Sequence, residues 1–286
     1  MGLGGKEERN EVIMEPLFTG ALLGAAGSAL VKAFDGPFKS IEDLWYTNFG
    51  YKTALKRAEY EAKVESFKQD LLKELSKIPE EKQHKPRLCV AGPAMEAAKY
   101  FVEEDSLRQM FAKLIASASD SSKFTKAHPA FVNIISQLAP FEANILQNTN
   151  ILLSPSPCCK IRFQKREANN KAFSFSNMAE GHSIIEHFII FENLQVEVDE
   201  LELYFSLLDN ITRLNLCEIP ANYTLTNNAL YDKYLKIPLL NSYLEQYKAS
   251  LSSLKTDSEQ DIFFLKETVI PTSFGKLFFE ACIQQN

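Results

Sequence analysis

Four histidines and five cysteines are the side chains of this sequence best suited to chemistry, and their neighbours narrow what that chemistry is. His128 stands in the stretch Ala127-His128-Pro129-Ala130-Phe131. An imidazole just before a proline at a helix start has two uses. It can fasten the turn through a side-chain hydrogen bond, or it can serve a ligand or a proton transfer. No serine or cysteine in a strand-to-helix elbow accompanies it, so fastening the turn is the simpler reading. Cys158 and Cys159, with His182 and His187, offer thiol and imidazole ligands. Their spacing matches no zinc template, and adjacent cysteines make an awkward chelate and a strained disulfide. Buried or merely reduced thiols are expected instead. Asp120 near Lys126 reads as a local cap or pair. Gly2, Gly4 and Gly5 precede no strand-to-helix step that would cradle a phosphate. No paired-carboxylate or metal-nuclease signature is present. A non-catalytic protein is therefore expected, with no catalytic residue, cofactor or metal.

The elements that must carry these residues follow from length and patterning. The chain has 286 residues and a mass of 32.4 kDa, room for one large domain or two modest ones. Hydrophobic residues at 45% and charged residues at 24% exclude wholesale disorder and collagen-like or mucin-like repeats. Lys and Arg number 31 against 37 Asp and Glu, a net charge of -6. Proteins that neutralise phosphates usually carry the opposite sign, so nucleic acid is disfavoured as the main partner. The first residues mix Glu7, Glu8, Glu11 and Glu15 with Lys6 and Arg9, unlike the positive start of a secretory leader. With an odd cysteine count, a reducing cytosol is the default compartment.

Leu17 to Val31 (LFTGALLGAAGSALV) carries no charge. As a helix these 15 residues would reach roughly 22 Å, short of a hydrocarbon core of about 30 Å. Gly20, Gly24 and Ser28 recur every four residues, with Ala21, Ala25 and Ala29 beside them. In a helix such rows let a second backbone approach closely. Three readings stay open: a buried or oligomer-forming helix, a segment that lies on or enters a membrane, and a disordered terminus. Gly20, Gly24, Ser28, Leu22 and Leu23 are the expected membrane or oligomer contacts.

Beyond Gly36-Pro37 the pattern turns helical. Tyr60, Val64, Phe67, Leu71, Leu75 and Ile78 form one apolar stripe, ended by Pro79. Pro93 is expected to open a helix with Met95, Ala98, Phe101 and Val102 inward. Asp105 or Ser106 should cap the next, which buries Leu107, Met110, Phe111, Leu114, Ile115 and Ala118. Pro129 and Pro140 each open a short helix, the second with Glu142 in its first turn.

Read together, Leu107 to Asp120 (LRQMFAKLIASASD) and Lys126 to Leu146 (KAHPAFVNIISQLAPFEANIL) resemble the bacterial abortive-infection alpha (Abi-alpha) domain family. Its members share patterns of the type LxxxFAxLLAxxxD and KAHPxFxxIIxQLSPxEAxIL. His128, Pro129, Phe131, Pro140 and Glu142 stand at motif positions. Ala139 departs from the pattern, where a serine is expected before the proline. The resemblance reaches from near Glu15 to Leu214-Asn215-Leu216 and Thr272 to Cys282. It implies a role in phage defence and names no reaction.

After Asn148 the texture changes, with Pro155 and Pro157 marking a break. Lys160 to Gln164 and Ile184 to Phe191 look strand-like, with a loop between Lys165 and Gly181. A helix is expected over Glu200 to Leu214, a short strand at Leu216 to Ile219, wing strands at Ile262 to Leu265 and Glu267 to Ile270, and a closing helix from Ser273 to Ile283. That order suggests a winged-helix-like domain. From Glu192 onward, 14 acidic residues face 7 basic ones, which opposes DNA reading.

The expected fold is mainly α: a glycine-rich segment (1–36), a helical array (37–148), and an α+β winged-helix-like domain (149–286). The expected function is non-catalytic antiviral defence by abortive infection, with the N-terminal segment acting at the inner face of the cell membrane or in self-association. The alternative is a cytoplasmic protein-binding, immunity or regulatory module with no membrane action.

Overall fold

The computed structural model describes residues 32–41, 54–166, 171–189, 191, 201–252 and 260–284. Leu17 to Val31, and with it Gly20, Leu22, Leu23, Gly24 and Ser28, lies outside the described residues. The chain folds as mainly α with a small mixed sheet.

A helical stretch at 35–41 buries Phe34, Phe38 and Ile41 against the first long helix, with the Phe38 and Phe67 rings 5.3 Å apart. That helix, α1 (Ala54–Ser76), carries the expected stripe, and Tyr60, Val64, Phe67, Leu71 and Leu75 are all buried, as is Ile78 just beyond it. Pro79 follows, and a 3-10 turn at Glu80–Lys82 leads away. Helix α2 (Leu88–Ala98) corrects one expectation. It starts at Leu88, and Pro93 lies inside it rather than at its first position. Gly92 makes this tolerable, because a residue without Cβ avoids the clash that disfavours α geometry before proline.

Helix α3 (Asp105–Ser117) is the centre of the array and packs against α1, α2 and three later helices. Neither Asp105 nor Ser106 caps it. The Asp105 carboxylate instead accepts from Arg108 at 2.7 Å, and the Ser106 hydroxyl donates to the Pro140 carbonyl at 3.1 Å. Helices α4 (Ala130–Ile135) and α5 (Pro140–Asn148) complete this half, opened by Pro129 and Pro140 as their sequence predicts.

The second half builds β1 (Ser156–Lys165), β2 (Ser174–Phe175), β3 (Gly181–Phe188), α6 (Leu201–Arg213), β4 (Cys217–Glu218), α7 (Ala229–Asp232), α8 (Pro238–Ser252), β5 (Gln260–Pro271) and α9 (Ser273–Cys282). The sheet runs β2-β5-β1-β3, with β4 paired to the far end of β5. The two expected wing strands are one strand. Ser156 faces Val269 and Lys165 faces Gln260 in unbroken antiparallel register, and Lys266 continues the ladder opposite Cys159. A wing needs a hairpin at that point, so these strands do not confirm the winged-helix expectation. The loop expected between Lys165 and Gly181 carries β2, which pairs parallel to β5.

Both halves contribute to one hydrophobic core. Helix α9 returns from β5 to lie on α3, capped at its start by Thr272, whose Oγ1 accepts from the Gly275 N–H at 2.8 Å. Gly275 is required by close approach: a Cβ there would stand 1.9 Å from the Leu216 carbonyl oxygen.

Candidate functional site

The motif residues 126–146 form a turn, a short helix and the start of α5, and the structure shows what each polar group does. His128 Nδ1 accepts from the Ala130 N–H at 3.1 Å, so the imidazole fastens the turn into α4 as expected. Its ring lies 5.8 Å from that of Phe131 and 5.7 Å from that of Phe274 on α9. Phe131 in turn meets Phe274 at 5.1 Å and Phe278, edge to face, at 5.3 Å. Lys126 pairs with Glu280 at 2.5 Å. The Lys113 ammonium and the Ser117 hydroxyl of α3 donate to the Ile283 and Ala281 carbonyls at 2.6 and 2.9 Å, satisfying the end of α9. This end of the motif holds α9 down.

The other end holds α6. Glu142 is buried, and its Oε2 accepts from the Ala139 N–H at 2.8 Å and from Asn210 Nδ2 at 2.6 Å. The first bond is the reciprocal half of a capping box, and it survives although Ala139 cannot supply the other half. Asn210 also donates to the Gln137 carbonyl at 3.2 Å, and Arg213 donates to the Gln137 side-chain oxygen at 2.9 Å. Burial pushes the Glu142 carboxyl above its ordinary value, and the Ala139, Asn210 and Arg213 contacts only partly oppose this. Asn210 and Arg213 give no signal in the sequence, because their importance comes from facing α5 across the fold.

The cysteines and histidines considered as a metal set do not converge. Cys158 and Cys159 are buried in β1, and burial pushes both thiols far above their ordinary value. His182 Nε2 meets the Tyr247 hydroxyl at 3.1 Å. His187 Nδ1 meets Glu267 at 2.9 Å, a contact that raises the imidazole above its usual value. Among the described residues, no group of His, Cys, Asp and Glu is placed to hold a metal ion. Asp120 acts locally, its Oδ1 accepting from the Ser122 N–H and hydroxyl at 2.8 and 2.7 Å.

A polar cluster that sequence reasoning missed sits at the start of β5. Asp261 is fully buried, accepts from the Lys248 ammonium at 2.6 Å, and pairs with Arg166. Burial opposes its ionisation, but Lys248, the Ile262 N–H and Arg166 outweigh this and hold the carboxyl below its ordinary value. The available signal is a carboxylate opening the apolar run DIFFL.

Two surface features stand apart from these contacts. A cavity of about 490 Å³ lies over the start of α5, with Glu103, Glu104 and Asp105 on its rim and Phe141 and Tyr204 in its wall. Leu203, beside it, is 47% exposed. A smaller groove of about 220 Å³ runs between the helical stretch 35–41 and α2. No helix among the described residues is long and apolar enough to cross a membrane.

A family model described as abortive infection alpha matches residues 59–282. The match starts well after Glu15, where the resemblance was expected to begin, and so leaves the glycine-rich segment outside it. Comparison with curated proteins and with solved structures gave no match. The matched stretch takes in the His128 turn, the Glu142 cap, and the α6 and α9 helices that these fasten. The chain belongs to the abortive infection alpha family.

Proposed function

We propose that this protein is a non-catalytic antiviral factor of abortive infection, whose folded body holds a partner or a trigger and whose glycine-rich segment is the effector. Family membership supports the antiviral role. The observation that carries the non-catalytic reading is where the motif's polar groups go. His128 Nδ1, Glu142 Oε2 and the Gln137 side-chain oxygen each accept within the chain, from the start of α4, from Ala139 and α6, and from α6, and these bonds hold helices together. Gly20, Gly24 and Ser28, with Leu22 and Leu23, act at the inner face of the cell membrane or against a second copy in this reading.

The test is a phage challenge of cells with and without the gene, read alongside a membrane-potential dye. Wild type should protect the culture and collapse the potential after infection. Gly20→Leu and Gly24→Leu should lose both effects while soluble yield is kept. Protection undiminished in both variants would remove the effector role from this segment.

A second reading is a cytoplasmic protein-binding module, for immunity or regulation. The cavity over α5 favours it: an acidic rim around Phe141 and the exposed Leu203 suits a basic segment with an apolar anchor. Glu104→Lys with Leu203→Asp would then abolish protection where the glycine variants do not.

A further inference from the structure

Between β2 and β4, the outer edge of β5 carries no strand among the described residues, and a cavity of about 720 Å³ lies there. β2 follows β5 only as far as Phe264, whose carbonyl accepts from the Ser176 N–H at 3.1 Å, and β4 joins at Ile270. The gap falls at Leu265, Lys266 and Glu267, which line the cavity. The Phe264 carbonyl faces this edge, so alternation along the strand turns the Lys266 N–H and C=O toward it as well. The volume lies within the roughly 300–1,000 Å³ of small-molecule sites.

Both walls are fixed by fully buried side chains. Gln164 donates from Nε2 to the Ser176 hydroxyl at 3.1 Å and to the Asn177 carbonyl at 2.7 Å. Opposite, the Tyr231 hydroxyl accepts from the Leu225 N–H at 3.0 Å and meets the Thr268 hydroxyl at 3.0 Å, which holds the end of the loop that brings Asn222 and Thr224 to the cavity. The side chains of Asn177, Asn222 and Thr224 are exposed there and bond to no other group among the described residues. The Lys266 ammonium stands 4.7 Å from the ring centre of Phe175, also a wall residue, and 5.5 Å from that of Tyr231. It donates to Asn228 Oδ1 at 3.0 Å and has no carboxylate partner among the described residues, which leaves two of its three donors. Glu267 also lines the cavity, but its carboxylate is taken by His187 at 2.9 Å.

We propose that this cavity binds a small phosphate monoester, with its phosphate on Lys266 and the three free side chains and its organic part against Phe175, Met178 and Leu265. Three terminal oxygens match this many donors better than the two of a carboxylate. The cavity is larger than a bare phosphate needs, and Met178, 65% exposed on its wall, offers apolar surface for an ester group to cover. An ammonium set between two aromatic faces is already placed, so binding orders little. The site adds a ligand to the folded body and does not rest on the effector reading of the glycine-rich segment.

The probe is phenyl phosphate, with inorganic phosphate and phenol as its two halves, titrated calorimetrically into the full chain at constant ionic strength. Phenyl phosphate should bind at one site per chain and more tightly than either half. Lys266→Gln should weaken it about tenfold or more, the loss of one charge-assisted bond, with the unfolding temperature of the free protein unchanged. Asn177→Asp and Asn222→Asp, at exposed positions away from the core, set a carboxylate beside the phosphate and should weaken it as well. These two variants carry the test if Lys266→Gln does not fold. Absence of phenyl phosphate binding, binding no tighter than that of inorganic phosphate, or an affinity that the variants leave unchanged would overturn the proposal.

Discussion

The His128 end and the Glu142 end of the motif perform the same task with different physics. Both fasten a helix of the second half onto the first. At the His128 end the joint is aromatic, with Phe131, Phe274 and Phe278 interleaved and the His128 ring tilted against Phe131 and edge-on to Phe274. At the Glu142 end the joint is polar, with a buried carboxylate shared between the Ala139 N–H and Asn210, and Arg213 reaching Gln137. Apolar burial is strong and indifferent to direction, so the first joint supplies strength. Hydrogen bonds in a buried site are directional and costly to leave unmade, so the second sets where α6 lies. Both joints answer to one stretch of 21 residues in the sequence, Lys126 to Leu146.

Substitutions at the two ends test this division. Phe278 is fully buried, and Phe278→Ala should cost about 3–5 kcal/mol in denaturant unfolding, with little change between low and high salt. A loss under about 1 kcal/mol would mean that α9 is not held by its aromatic face. Asn210→Ala should cost less, about 1–3 kcal/mol, because it leaves Glu142 with the Ala139 donor and removes a donor from the Gln137 carbonyl. If Asn210→Ala proved as costly as Phe278→Ala, the polar joint would be carrying strength as well as register.

The smallest effect is the most specific. The folded-state pKa of Glu142 is raised by burial, so the folded protein holds that proton more tightly than the unfolded chain. Its contribution to stability is full below the ordinary carboxylate range near 4.3 and is lost as pH rises through the raised value. Glu142→Gln removes this dependence. The stability of the variant relative to wild type should therefore improve as pH climbs from about 4 to 7. The gain should stay below roughly 1.4 kcal/mol for every tenfold by which folding tightens the hold on that proton. A gap between the two proteins that does not change with pH would show that Glu142 titrates as it does in the unfolded chain.

Much of the helical half was legible because its signals are local. A stripe stepping by three and four residues from Tyr60 to Leu75 can only be buried on one side of a helix, and prolines at 129 and 140 leave few places for the next helices to start. His128 was readable for the same reason, since its partner is two residues away. Pro93 misled because a helix can run through a proline when a glycine precedes it, since a residue without Cβ escapes the clash with the proline ring. In the sheet half the informative contacts are distant. The continuity of β5 is fixed by β1, about a hundred residues earlier, and the residues flanking Lys266 gave no sign of it.

The sequence by itself determined the helical array, the turn at His128, the place of Glu142 in the first turn of its helix, the buried thiols and the family, because each rests on residue types a few positions apart. Only the tertiary structure decided that Asn210 and Arg213 complete the Glu142 joint, that Phe274 meets His128 while Phe278 meets Phe131, and that Lys248 and Arg166 converge on Asp261. Those partners are separated by tens to more than a hundred residues. What brings them together is the shared burial of apolar surface, which is non-directional and writes no fixed spacing into the chain.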